Sequence, residues 1–216
     1  MDYHQIFSEI HQELEPEKAP GQVASYIPEL AKVDPTKYGV FLKTLEDSCF
    51  ALGDAREAFS AQSITKVFSL ALAMQLQGDS IFDRVDVEPS GTSFNSLVLL
   101  EYEDGIPRNP FINSGALVIA DILVSNLQNP KEGFLQFVRE LTQDPHIEYS
   151  KAIAQSEAQE RFRNRALANM LRSFGNIVNP VEEVLDFYYY QCSLLMSCQQ
   201  LAEAFLPYAN AGKTLE

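Results

Sequence analysis

Ser63 and Lys66 lie three residues apart in the run FSAQSITKVF, residues 59–68. On a helix that spacing places both side chains on one face, one turn apart. A lysine desolvated near a helix start loses its proton more readily, because burial and the positive helix end both disfavour its charge. The neutral amine can then take the proton of the serine hydroxyl, and backbone N–H groups at the helix start can hold a developing oxyanion. This is the chemistry of a Ser-Lys nucleophile pair. Ser-x-x-Lys also arises wherever a serine N-cap precedes an apolar helix. Val67, Phe68, Leu70 and Leu72 around the lysine favour its burial, and buried lysines are rare unless paired or functional.

Other polar residues stand where a ligand could use them. Asn113, in GIPRNPFINSGA (105–116), is either the N-cap of the next helix or a pocket amide. Glu157 and Asn164 are seven residues apart, which on one helix gives a carboxylate and an amide gripping one ligand. Phe162, Ala166, Met170 and Phe174 are expected to point elsewhere. The alternative for Glu157 is a solvated ion pair with Arg161. Tyr188 follows the apolar spacing of Val181, Leu185 and Cys192, so it is a core residue or a core-anchored hydroxyl reaching a pocket. Tyr26, ahead of Ile27-Pro28, has the same two readings. The cysteines Cys49, Cys192 and Cys198 read as small buried apolar residues.

The elements that must position these side chains are mostly helices. Ile6, Phe7, Ile10 and Leu14 recur at helical spacing, with Pro16 and Pro20-Gly21 closing that helix. Pro28 prevents a long helix over 22–32. Residues 38–45 and 48–52, separated by Glu46-Asp47, read as a β-hairpin. A helix over 63–77 ends at Gly78. The irregular stretch 79–115 is long enough to suggest a functional loop, with a short helix near Ser93. Helices follow over 116–127, 130–142, 156–174, 181–190 and 197–210, the last with a Ser197/Gln200 capping box. A hairpin needs more strands or a covering helix. Further strands are therefore expected beyond Glu216, and without them Val67, Leu70, Leu72 and Met74 would lack cover on one side. The expected division is a sheet-containing part, 1–79 with 191–216, and a helical part, 80–190.

Composition removes several function classes. The 216 residues carry 16 basic and 30 acidic side chains, a net charge of −14. That balance argues against nucleic acid and against an anionic membrane surface. No apolar run approaches the roughly eighteen residues of a membrane span. The N-terminal MDYHQIFSEIHQELEPEK is acidic and amphipathic, unlike a secretion leader, so a cytoplasmic protein is expected. Three cysteines make no disulfide framework, and the three histidines form no metal spacing with them.

In order along the chain, ASYIPELA, FSAQSITKVF, NPFINSGA, the SE…RNRA segment, LDFYYYQCS and the LA…LPYANAG helix resemble the serine-dependent glutaminase family. The resemblance covers nearly the whole chain. It implies an α/β (α+β) fold like that of β-lactamases and transpeptidases: an antiparallel sheet flanked by helices, plus a helical lobe. It also implies hydrolysis of L-glutamine to L-glutamate and ammonia without a cofactor. Carried over, it makes Ser63 the nucleophile and Lys66 its activating partner. Tyr26 becomes a substrate contact near the serine that can relay protons. Asn113, Glu157, Asn164 and Tyr188 become glutamine-binding groups. A homo-oligomer, dimer or tetramer, is expected.

Family members continue past the ANAG-type turn into further strands, another pocket tyrosine and a second oxyanion amide. Ser114 stands where they often have alanine. Two other readings stay open: a glutaminase-like chain that binds ligand or assembles without turnover, and a β-lactamase-like acyl transferase. The latter should carry Ser-Asp-Asn and Lys-Thr-Gly motifs, which are not present.

Overall fold

The computed structural model describes residues 2–14, 21–160 and 162–214. The elements run, in chain order, α1 (Tyr3–Leu14), β1 (Gly39–Lys43), β2 (Cys49–Gly53), β3 (Phe59–Ser60), α2 (Thr65–Gln77), α3 (Val98–Tyr102), α4 (Asn113–Asn126) and α5 (Pro130–Thr142). Then come β4 (Glu148–Tyr149), α6 (Lys151–Glu160), α7 (Phe162–Ser173), α8 (Val181–Cys192), β5 (Leu194–Met196), α9 (Cys198–Ala204) and α10 (Leu206–Ala209). Among the described residues no helix is long and apolar enough to cross a membrane.

The chain forms two compact units: one of residues 1–59, 140–145 and 196–216, the other of residues 60–139 and 146–195. The expected boundaries at 79/80 and 190/191 differ from these. The reason is packing: α2 lies against α4, so it belongs with the helices and not with the hairpin.

In the first unit β1 and β2 form the expected antiparallel hairpin, with Val40 opposite Leu52 and Leu42 opposite Phe50. Asp47 takes a left-handed φ of 65° in the connecting turn. Phe7 of α1 stacks on Phe50 with ring centroids 5.1 Å apart. Strand alternation puts Lys43 on the face opposite Leu42 and Phe50. A groove on that face is lined by Lys43 together with Glu203 of α9 and Leu206 of α10. Helices thus flank the hairpin on both faces, and among the described residues its sheet has two strands. The Ser197/Gln200 capping box forms as expected. Pro16 and Pro20, expected to end α1, lie outside the described residues. Cys49 is exposed and Cys198 half-buried, so of the cysteines expected inside only Cys192 is buried.

The second unit is built around α4. Every residue from Asn113 to Leu123 is buried, and α2, α7 and α8 all pack on this helix. A helix apolar all round is a core helix. A small sheet, order β3-β5-β4, joins it. These strands have two or three residues each, too short for any alternation to be read from sequence. The helix expected over 156–174 is described as α6 and α7, on either side of residue 161, which lies outside the described residues. Along α7 the buried face is Asn164, Leu167, Ala168 and Leu171, while Phe162 and Phe174 are exposed. The i, i+3, i+4, i+7 stripe starting at Asn164 faces the core, and Phe162 and Phe174 lie off it, as expected. The short helix expected near Ser93 is α3. On α2, Leu72 is buried, Val67 and Leu70 are half-buried, and Met74 is exposed.

Candidate active site

The chain leaves β3 through a tight turn. Ala61 N–H donates to Leu194 O at 2.8 Å. Gln62 then takes a left-handed φ of 48°, and a 3₁₀ turn over Gln62–Ile64 leads into α2. A non-glycine residue in that region costs roughly 1–3 kcal/mol, and such strain tends to collect at functional sites. The surroundings hold it: Gln62 Nε2 donates to Ser60 Oγ at 2.9 Å, and Ser60 Oγ donates to Cys192 O at 3.0 Å. The turn leaves Ser63 exposed on a structured base. Ser63 lies in this 3₁₀ turn and Lys66 in the first turn of α2. Ser63 makes no N-cap; the residue preceding α2 is Ile64. Ile64 N–H donates to Ala61 O, and Thr65 N–H to Gln62 O and Ser63 O. The Ile64 and Thr65 amides at the helix start are therefore committed to the turn.

Lys66, one turn on, is 2% exposed. Its Nζ donates to Phe111 O at 2.9 Å and to Asn113 Oδ1 at 2.8 Å. The Phe94 ring lies 5.3 Å from the same nitrogen, within cation–π range. Asn113 begins α4 without capping it; the N-cap position is Ile112. Its amide is used on both sides, accepting from Lys66 and donating from Nδ2 to Asn164 Oδ1 at 3.0 Å. Lys66, Asn113 and Asn164 are thus one chain of polar contacts drawn from α2, α4 and α7. Asn164 is 1% exposed, and its Nδ2 bonds to no described residue. A buried amide donor in that state costs roughly 1–3 kcal/mol unless an absent group accepts from it.

Glu157 on α6 is fully buried; Arg161, its alternative partner, lies outside the described residues. Glu157 lies on α6 and Asn164 on α7, and residue 161 between these segments is outside the described ones. Tyr188 on α8 is 2% exposed, one turn before Gln191, whose Nε2 donates to Ser69 Oγ of α2 at 3.2 Å. Tyr26 belongs to the first unit and is exposed. Sequence reasoning missed Gln62, Phe94 and Phe111. Nothing marks a glutamine for left-handed backbone, and Phe111 contributes a carbonyl that its side chain does not advertise.

A family model described as Glutaminase matches residues 21–216. A protein named Glutaminase from Christiangramia forsetii is 55% identical over 216 residues, covering 100% of this chain and 71% of that protein. One of the same name from Saccharophagus degradans is 58% identical over 212 residues, covering 98% and 69%. The chain therefore spans about seven-tenths of these relatives' length. Among solved structures, the probable glutaminase ybaS superposes with a TM-score of 0.90 at 30% identity, covering 100% of this chain and 71% of that one. A probable glutaminase of Bacillus subtilis gives 0.87 at 30% identity, covering 98% and 66%. The fold is the β-lactamase-like fold of these proteins. By matched length, by identity and by fold, the chain belongs to the glutaminase family.

Proposed function

We propose that the protein hydrolyses L-glutamine to L-glutamate and ammonia through an acyl-enzyme on Ser63. The observation that carries this reading is Lys66: buried, one turn from an exposed serine, and hydrogen-bonded to Phe111 O and Asn113 Oδ1. Ser63 Oγ attacks the side-chain amide carbon while its proton passes to Lys66. The C–N bond breaks, and ammonia leaves with that proton. Water then adds to the ester carbon and gives a proton to Lys66, which returns it to Oγ as the glutamate leaves. With the Ile64 and Thr65 amides engaged, the Ser63 amide is the oxyanion donor on this segment.

Substrate recognition uses the buried polar residues. Glu157 suits the α-ammonium through charge-assisted hydrogen bonds. Asn113, Asn164 and Tyr188 suit the α-carboxylate, and the Asn164 Nδ2 donor supports this. Tyr26 as a substrate contact and proton relay rests on the family resemblance alone. A homo-oligomeric state and a cytoplasmic location belong to the same proposal.

Ammonia release from glutamine tests it. Ser63→Ala should lower kcat by about a thousandfold or more, because the covalent route is gone. Its circular dichroism should match the parent. Lys66→Ala should be nearly as severe, and the double variant no worse than either, since the two act as one unit. Turnover by Ser63→Ala close to that of the parent rejects the assignment.

A further inference from the structure

The segment before α4 reaches Lys66 with a backbone atom, the Phe111 carbonyl. A carbonyl has no rotamer of its own, so its aim is set by whatever fixes its peptide plane. Asn109 does this. Its Oδ1 accepts from Phe111 N–H at 3.0 Å and from Ile112 N–H at 3.1 Å, the Asx-type turn in which an asparagine side chain holds the backbone after it. Its Nδ2 donates to Glu88 O at 2.8 Å.

The surrounding backbone is equally constrained. Glu88 N–H donates to Arg108 O at 2.7 Å and Asp86 N–H to Pro107 O at 2.8 Å, so residues 86–88 run beside 107–109. Pro110 fixes the φ that follows Asn109. The Asn109 carbonyl sits tightly on α4: a Cβ added at Gly115 would lie 1.9 Å from it. Only glycine permits that approach. One side-chain amide therefore ties a neighbouring loop, a tight turn and the start of α4 into a single seat for the Phe111 carbonyl.

We propose that Asn109 is a positioning residue for the reaction. It acts through the Phe111 carbonyl, which with Asn113 Oδ1 sets where Lys66 Nζ stands relative to Ser63. The inference rests on Lys66 being the proton acceptor of Ser63. A residue that only stabilised its loop would show in the melting temperature and not in the chemistry.

The test uses the full chain with Asn109→Ala and Asn109→Asp. Aspartate keeps both acceptors for the Phe111 and Ile112 amides and loses only the donor to Glu88. Three quantities are measured: kcat and KM for glutamine, the thermal midpoint, and the rate at which a fluorophosphonate labels Ser63, followed by intact mass. The alanine variant should lose about tenfold or more in kcat, as misplacements of an ångström or less can, with KM within about twofold. Its labelling rate should fall in parallel, and the aspartate variant should recover most of both. If the alanine variant does not fold, Asn109→Ser, with a shorter acceptor, replaces it under the same expectations. A lowered midpoint with parental kcat and labelling rate overturns the inference. So does an aspartate variant as impaired as the alanine one, which would move the effect to the Glu88 link. A parent protein that labels at Ser63 yet releases no ammonia from glutamine overturns the glutaminase reading, and the labelling comparison still decides the role of Asn109.

Discussion

Two polar clusters feed from the same buried helix, and they are finished differently. Asp121 of α4 is fully buried. It accepts from Arg84 Nη2 at 2.5 Å, from Asn179 N–H and Asn179 Nδ2 at 2.9 Å each, and from Val178 N–H at 3.2 Å. Asn176 completes the ring, donating to Arg84 O and Gly105 O at 2.8 Å each. Eight residues earlier, at the N-terminal end of α4, Asn113 links Lys66 to Asn164, and there an amide donor is left over. The helix and its burial are common to both. The closed cluster locks loops to the core, whereas the open one keeps one buried donor without a described partner. Buried polar groups are nearly always hydrogen-bonded, so the difference between the two clusters can be put to a test.

Three substitutions test that contrast, in falling order of effect. Asp121→Ala should cost about 3 kcal/mol of stability, the lower end for breaking a buried pair, because the Arg84 side chain stays 26% exposed. Urea unfolding measures this, and a loss below about 1 kcal/mol would make the closed cluster incidental. Asn164→Leu should do the opposite kind of damage. Stability should fall by no more than about 1–2 kcal/mol, since the change removes an unbonded donor along with one hydrogen bond. KM for glutamine should rise roughly ten- to hundredfold, the equivalent of one or two such bonds. An unchanged KM would mean that the leftover donor serves no ligand. The smallest effect belongs to Gln62→Gly. Relief of the left-handed strain should raise stability by about 1 kcal/mol, partly offset by the added freedom of glycine in the unfolded chain. Differential scanning calorimetry reads it, and a clear loss of stability would show that the Gln62–Ser60 contact outweighs the strain.

Much of the open cluster was legible in the sequence, and the closed one was not. Ser63 and Lys66 announce themselves by spacing, and apolar neighbours foretell the burial of Lys66. Asn113 was legible as a polar residue at a helix start, although spacing alone could not choose between cap and pocket. The pairing of Asp121 with Arg84 spans 37 positions and follows no periodic rule. The same limit hid the sheet of β3, β5 and β4, whose short strands pair across long loops. The hairpin, α5 and the Ser197 cap were readable because local chemistry sets them. On α7 the spacing placed Phe162 and Phe174 away from Asn164, but it did not single out the buried stripe of Leu167, Ala168 and Leu171.

The buried length of α4 also governs how the protein breathes. Backbone amides exchange with solvent through local opening where little is buried and only through global unfolding at the centre of a core. None of the α1 residues is buried, so its amides should exchange within the time of mixing by fraying. Those from Leu117 to Leu123 should be the last in the chain to exchange. Asn113 hangs from the slowest-opening element, so the Lys66–Asn113–Asn164 contacts should persist through fluctuations that already melt α1.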